Sequence, residues 1–205
     1  GALVCPDGTL LTEDEDIARE LARHWGEVFS EKTIQRDLLG AWLSGVSPLE
    51  QAADDPAWAL LGSIVSDAVR YASESSPGPD GIPYRAYKCF PPSSDILFEV
   101  AKALLEVGSL SPPDDFNASF LCCLPKKPVS FDARLGDIYS AETTRPLSIV
   151  NTDNRLIAGA FRLTLEPIFS KWVSSPQRGF IRGRSMLANV LRWTFTVCAL
   201  AFLVA

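Results

Sequence analysis

The chain has 205 residues, a net charge of −6 and 47% hydrophobic residues. These totals exclude a disordered or collagen-like protein and indicate one large domain or two small ones. The five cysteines form no C-x-x-C pair, and the single histidine, His24, lies apart from them in sequence. A zinc site is therefore not expected, and no residue is assigned as a metal ligand.

Charge is divided unevenly along the chain. Residues 1–75 carry 14 acidic and 5 basic side chains, whereas residues 120–192 carry 5 acidic and 11 basic ones. Such an imbalance suggests a polyanionic partner for the basic half. A solvated basic face would give the same counts, and charge alone does not separate the two interpretations.

The two ends of the chain give expectations about its location. No basic segment followed by an apolar core opens it, and the first residue is Gly rather than Met, so it reads as a fragment. An odd cysteine count favours a reducing compartment, and we expect an intracellular protein of the cytoplasm or nucleus. Only 13 residues follow Arg192. A membrane-spanning helix needs roughly 20, so no membrane partner is expected.

Two amphipathic helices are predicted in the first third. The first covers residues 13–29 and begins with an acidic turn that suits the helix dipole. The second covers residues 57–73 and follows Asp55 and Pro56, a pair that is typical of a helix start. Its apolar residues, spaced about one turn apart, are Leu60, Ile64, Ala68 and Tyr71.

The segment "SSPGPDGIPYRAYK", residues 75–88, interrupts the helices with closely spaced turns. Pro79 fixes φ, Asp80 can accept from a nearby backbone N–H, and Gly81 tolerates positive φ. Pro-Asp-Gly is typical of an ordinary tight turn. We expect a structured surface loop here rather than a mobile linker, because a free linker would be rich in Gly and Ser.

Later elements alternate helices with two short strands. In chain order they are a helix over 94–107 ended by Gly108, a buried strand over 118–126, a loop over 130–137, a second strand over 143–150 with Pro146 at an edge or bulge, and a long helix over 153–172. This order predicts an α+β fold that is predominantly helical and contains a small β-hairpin.

Four sequence blocks, read in order, resemble one family. They are "SSPGPDGIPYRAYK" (75–88), "FLCCLPKKP" (120–128), "TRPLSIVNTDNRLIAGAFRLTLEPIF" (144–169) and "QRGFIRGRSMLANV" (177–190). Together they resemble the fingers region of reverse transcriptases of non-LTR (LINE-type) retrotransposons. The resemblance implies part of the fingers of a right-hand polymerase, an RNA-directed DNA polymerase.

The resemblance also implies a division of the chain. Residues 1–57 would form a helical N-terminal segment that precedes the polymerase region, and residues 58–190 the fingers-like region. Residues 191–205 would be an apolar tail, either a truncated or an out-of-frame start of the palm.

The strand ends carry the residues expected to bind nucleotide. Lys126 and Arg145 would converge if the strands over 118–126 and 143–150 pair, and cations of this kind suit a triphosphate. The resemblance assigns the matching lysine and arginine to the phosphates of the incoming nucleotide. Lys127 could replace Lys126, and a solvated Lys-Lys loop is the plainer alternative.

A second group of residues, over 177–185, is expected to bind the template strand. Its arginines can meet phosphates, its glycines allow close backbone approach, and Phe180 offers a stacking face. The expected template residues are Gln177, Arg178, Gly179, Phe180, Arg182, Gly183, Arg184 and Ser185. An arginine-rich turn that caps a helix is the plainer alternative.

The chain lacks the catalytic carboxylates of the resembled family. In the resembled family, palm aspartates hold Mg²⁺, the cofactor of the complete enzyme. Glu166 is the last acidic residue of this chain, so we expect no bound metal and no catalysis by the chain alone. The implied partners are an RNA template, a DNA primer and a dNTP, with the chain a monomer. The alternatives are a non-catalytic nucleic-acid-binding module and a helical interaction module.

Overall fold

The computed structural model describes residues 1–187 except 53, 107–114, 176, 180 and 186. The strands are β1 (Ala2–Val4), β2 (Leu10–Leu11), β3 (Ser119–Pro125), β4 (Ser130–Asp132), β5 (Gly136–Tyr139) and β6 (Thr144–Val150). The α-helices are α1 (Asp14–Phe29), α2 (Arg36–Ser44), α3 (Gly62–Tyr71), α4 (Tyr84–Cys89), α5 (Ser93–Leu105) and α6 (Thr152–Trp172). Short 3₁₀ turns occupy Pro56–Trp58 and Ala141–Thr143.

Described residues of 1–46, 74–83 and 113–152 form one compact unit, and those of 47–73, 84–112 and 153–205 form another. Both units are discontinuous in sequence. The first contains all six strands with α1 and α2, and the second contains α3, α4, α5 and nearly all of α6.

The first unit contains a four-stranded sheet in the order β2-β1-β5-β4. β1 runs parallel to β5, and the other pairs are antiparallel. The loop expected over 130–137 is wrong, because β4 and β5 form a hairpin there. Asp132 Oδ1 accepts from the backbone N–H groups of Arg134 (2.8 Å) and Leu135 (3.0 Å), and Gly136 has φ +78°. These interactions form a tight turn between two strands, which the polar sequence alone did not distinguish from a loop.

A second, two-stranded sheet pairs β3 with β6. The antiparallel register runs from Ser119 opposite Val150 to Pro125 opposite Thr144. The pairing of the two predicted strands is therefore confirmed. The expected burial of the first strand is wrong, since Phe120 is 55% and Leu124 47% exposed. An apolar run is buried on both faces only where other layers cover the sheet.

Helix α1 lies against the Ala141–Thr143 turn of the same unit. Its Trp25 Nε1 donates to Thr144 Oγ1 at 3.1 Å, and Thr144 Oγ1 donates to the Ala141 carbonyl at 2.7 Å. Thr144 is buried, and both polar groups are satisfied inside the unit. The helix predicted over 13–29 is confirmed to within one residue.

The second unit packs four helices around one apolar core. Its buried members are Leu60, Val65, Val69, Tyr84, Leu97, Ala101, Leu156, Ile157 and Ala160. Val65 with Val69, and Leu97 with Ala101, are spaced by four residues on α3 and α5. Burial of each larger apolar side chain contributes about 1.5–3 kcal/mol.

The helix predicted over 57–73 begins five residues later than expected. Asp55 does act as a cap, since it accepts from the Ala57 N–H at 2.7 Å, but it caps the Pro56–Trp58 turn. Residues 59–61 are not helical, and α3 begins at Gly62. Val65 and Val69, which directly follow the predicted apolar residues Ile64 and Ala68, are buried in the core. Tyr71 is 70% exposed, and its predicted place on the buried stripe is wrong.

Helix α6 matches its prediction over 153–172. Of the six apolar residues expected to face a core, Leu156, Ile157, Ala160 and Ile168 are buried, whereas Leu163 and Leu165 are half-buried. Helix α5 matches the expectation over 94–107 as far as Leu105, and Gly108 lies outside the described residues. The predicted apolar tail over 191–205 also lies outside them. In the part of the chain that is described, no helix has the length and apolar character needed to span a membrane.

Candidate nucleic-acid interface

The Pro-Asp-Gly segment forms a hydrogen-bonded turn. Gly81 N–H donates to the Gly78 carbonyl at 3.0 Å, and Asp80 Oδ1 accepts from the Ile82 N–H at 3.0 Å. Gly81 has φ +71°, the left-handed conformation in which a side chain would be strained. Pro79 occupies the first central position, which its fixed φ favours.

This turn is held against the chain that leaves β6. A Cβ on Gly78 would lie 2.5 Å from Asn151 Cα, so only glycine fits there. The Asp80 N–H donates to Asn151 Oδ1 at 3.1 Å, and Thr152 Oγ1 donates to the Ile82 carbonyl at 2.6 Å. The segment is thus a fixed connection inside the first unit.

The paired strands bring two predicted nucleotide residues together. Leu124 lies opposite Arg145, and the Lys126 N–H extends the ladder by donating to the Thr143 carbonyl at 2.9 Å. Side chains alternate along a strand, so Lys126 falls on the face of Arg145, diagonal to it, and Lys127 on the other face. Such diagonal neighbours are roughly 7–8 Å apart, a spacing that adjacent phosphates of one ligand can bridge.

The two faces of this sheet differ in their surroundings. On the Arg145 face, Phe120, Leu124 and Leu147 are exposed. On the opposite face, Thr144 is buried beneath Trp25, and burial raises the pKa of the neighbouring Cys123 thiol. Leu121 and Ser148 are nevertheless exposed on that opposite face, so it is covered at its Thr144 end and both faces are accessible elsewhere.

The second unit contains a cavity of about 720 Å³ between α3, α6 and the segment after α6. Four arginines line it: Arg162, Arg178, Arg182 and Arg184. Among the described lining residues the carboxylates are those of Asp67 and Glu166, and the Glu166 carboxylate is 3.2 Å from the Arg162 guanidinium. The lining is therefore net positive, and the potential in such a concave site attracts anions.

Arg184 has a structural role in this arrangement. Its Nη2 donates to the carbonyls of Ser170 (2.8 Å) and Val173 (3.0 Å), and its Nη1 donates to those of Ser174 (2.7 Å) and Gln177 (2.8 Å). These carbonyls belong to the end of α6 and the chain after it. Arg184 thus caps the preceding helix, where a cation also complements the helix dipole.

The other predicted template residues shape the segment or face solvent. Gln177 Nε2 donates to the Gly179 carbonyl at 3.1 Å, and Gly183 has φ +76°. Ser185 Oγ accepts from the Leu187 N–H at 3.3 Å. Arg182 is exposed, Arg178 is half-buried, and Phe180 lies outside the described residues.

Six described residues that line the cavity were not predicted from the sequence: Asp67, Tyr71, Arg162, Leu163, Glu166 and Ile181. Arg162 lies one turn before Glu166 on α6, and Asp67 one turn before Tyr71 on α3. The sequence feature that could have identified Arg162 and Glu166 is their spacing of four residues together with their opposite charges. No signal pointed to Tyr71, because its face depends on where α3 begins.

The described residues hold no group of three or more His, Cys, Asp or Glu side chains placed to bind a metal ion. Mg²⁺ prefers carboxylate oxygens, which the two separate acids of the cavity do not supply as a cluster.

A search with protein-family models gives no match to the chain. The chain is similar to a Xenopus laevis protein described as the transposon TX1 uncharacterized 149 kDa protein, with 26% identity over 195 residues. The similarity covers 92% of this chain but 14% of the relative. This chain thus has distant similarity to a transposon protein and spans about one seventh of its length.

Proposed function

We propose that this chain is the fingers part of an RNA-directed DNA polymerase from a non-LTR retrotransposon. In this role it contributes contacts to the incoming nucleotide and to the RNA template. The observation that carries the proposal is the arginine-lined cavity built from the block over 177–185 and α6. The four family-like blocks and the similarity to a transposon protein support it.

The nucleotide contacts are proposed for the Arg145 face of the β3–β6 sheet, which is exposed at Phe120, Leu124 and Leu147. Lys126 and Arg145 share that face, so both cations can reach one triphosphate. Lys127 alternates to the other face and is the weaker candidate of the two lysines. The fixed 78–82 turn supports this sheet, because it is bonded to the residues that follow β6.

The template contacts are proposed for the cavity of the second unit. Arg178 and Arg182 meet phosphates there, while Arg184 holds the segment on the end of α6. Contacts of this kind read the backbone and not the sequence, so binding depends on salt and tolerates any base order.

Catalysis is not proposed for these 205 residues alone. Nucleotidyl transfer needs carboxylates that hold divalent ions, and the described residues provide no such cluster. Primed synthesis assays with Mg²⁺ or Mn²⁺ are expected to give no product, and template-dependent product from a preparation free of other polymerases would contradict this.

The binding proposal is tested by fluorescence anisotropy with a labelled single-stranded RNA. The logarithm of the affinity should fall linearly with the logarithm of the salt concentration, by about 0.7 for each phosphate contacted. Replacement of Arg182 by Ala should make the slope shallower, by about 0.7. Arg36→Ala, an exposed arginine of α2 in the acidic half, is the control. Binding that is unchanged by salt would overturn the proposal.

A helical interaction module is the second candidate, because α2 exposes apolar side chains. Leu38 is 65%, Trp42 68% and Leu43 51% exposed. Exposed apolar clusters are typical of protein–protein contacts. Light scattering of the purified chain distinguishes this candidate: the monomer that we expect argues against self-association through α2, and a dimer dissociated by Trp42→Ala would favour it.

A further inference from the structure

We infer that Tyr71 is a stacking platform for an unpaired base of the RNA strand that the cavity binds. This inference rests on the proposed function, since it adds an aromatic residue to the template site. The site predicted from the sequence relied on Phe180 for stacking, and nothing in the sequence assigned such a role to Tyr71.

Tyr71 is presented at the cavity by the end of α3. It lines the cavity together with Arg162, Arg178 and Arg182, although its ring is 70% exposed. The buried positions of the helix, Val65 and Val69, lie on its other side and fix its rotation. A large aromatic ring at a net-positive cavity, without a role in the core, offers a flat surface to a ligand.

The ring of Tyr71 is supported on one side. The guanidinium carbon of Arg70 lies 5.4 Å from the ring centroid, an arrangement that is typical of a cation–π contact. This contact orients the ring before any ligand binds. Stacking of a base on an oriented ring costs less conformational entropy than stacking on a freely rotating one.

Charges around the cavity set the direction of the bound strand. Asp67 lies one helical turn before Tyr71, and its carboxylate disfavours a phosphate at that end. Arg178 and Arg182 lie on the segment after α6, where phosphates are favoured. The strand would therefore place its backbone along the arginines and turn a base towards Tyr71, as single-stranded nucleic-acid sites commonly do.

A duplex does not satisfy this geometry, because its bases are stacked on one another and paired. The ligand is therefore a single strand or a locally unpaired region. Stacking tolerates every base, since each has a flat π surface, and purines give the larger contact.

The test uses an oligoadenylate of about 12 nucleotides with 2-aminopurine near its centre, a length within the usual site size. Tyr71→Ala should weaken binding about 5- to 10-fold and abolish the change in 2-aminopurine fluorescence, with the salt slope unchanged. Tyr71→Phe should behave as wild type because it retains the ring. Phe131→Ala, at a residue that is 72% exposed in the first unit, is the matched control.

The outcomes separate this inference from the proposed function. If wild-type protein shows no salt-dependent binding, the proposed function fails and the inference fails with it. If Arg182→Ala makes the slope shallower but Tyr71→Ala binds within twofold of wild type, the inference alone is overturned. Weak binding by both Tyr71→Phe and Tyr71→Ala would also overturn it, since the ring would then not be what the ligand contacts.

Discussion

Removal of the Arg184 side chain should destabilise the second unit. The guanidinium donates four hydrogen bonds to backbone carbonyls of Ser170, Val173, Ser174 and Gln177. In Arg184→Ala these carbonyls lose their donor, and water can replace it fully only where the carbonyl is accessible. The segment over 177–185 would also lose its attachment to α6.

The size of the effect follows from burial. The two bonds from Nη2 are partly buried, and hydrogen bonds to charged groups contribute about 1.5–3 kcal/mol each before water replaces them. The two bonds from Nη1 are exposed and contribute little. Loss of the cation at the end of a helix costs about 0.3–1 kcal/mol, part of which overlaps with the hydrogen bonds. We expect a total loss of about 2–3 kcal/mol.

Urea unfolding followed by circular dichroism measures this loss. With a denaturant slope of about 2 kcal/mol/M, the midpoint of Arg184→Ala should fall by about 1–1.5 M. Arg184→Lys should recover only part of the loss, since one ammonium cannot bridge four carbonyls. Arg182→Ala is the control and should stay within about 0.5 kcal/mol of wild type, because Arg182 is exposed. Equal midpoints for Arg184→Ala and Arg182→Ala would refute the capping role.

Three further outcomes are expected. Gly78→Ala should cost about 2 kcal/mol or more in urea unfolding, because its Cβ would meet backbone at 2.5 Å, whereas Gly26→Ala in open space on α1 should cost nothing; equal stability of the two variants would contradict the fixed turn. Backbone N–H donors lower the pKa of Asp132 below its ordinary value of 3.8, so its contribution to stability is present above that pH and is lost as the pH falls through the lower folded pKa. An NMR titration that gave 3.8 or more in the folded protein would disprove this. The double variant Lys126→Ala, Arg145→Ala should weaken dATP binding in calorimetry without changing circular dichroism, and unchanged affinity would remove both residues from the site.

Periodicity in the sequence was sufficient to predict the long helices. Residues over 13–29 and 153–172 repeat their apolar side chains at helical spacing for several turns, and α1 and α6 agree with the predicted ends within one residue. The strands predicted over 118–126 and 143–150 also agree with β3 and β6 within one residue at each end. In these elements local preference and burial point to the same structure.

The shortest strands were not predictable because two or three residues are too few to show a periodic pattern. β1 has three residues and β2 has two, and β1 pairs both with the nearby β2 and with β5, more than a hundred residues later. The local sequence of β1 does not indicate that it pairs with a strand as distant as β5. The exposure of β3 has the same origin, since an apolar run does not tell whether a second layer will cover it.

The arginines of the candidate site over 177–185 could be named from the sequence, but the structural role of each side chain could not. These side chains differ in role. Arg184 turns back to the helix end, Arg182 remains exposed, and Arg162 joins from α6. The position of Tyr71 at the cavity could be recognised only from the structure, because the start of α3 at Gly62 determines the face of the helix on which Tyr71 lies. The rotation of the helix depends on tertiary packing and not on the residues nearby.

Cross-linking of the 205-residue chain to a single-stranded RNA that contains 4-thiouridine tests the proposed RNA site most directly. After irradiation and nuclease digestion, mass spectrometry identifies the peptides that carry a nucleotide. We expect adducts at Tyr71 or within residues 177–185, and we expect them to disappear at high salt as phosphate contacts are lost. Adducts confined to the first unit, or equally abundant at low and high salt, would contradict an RNA site in the arginine-lined cavity.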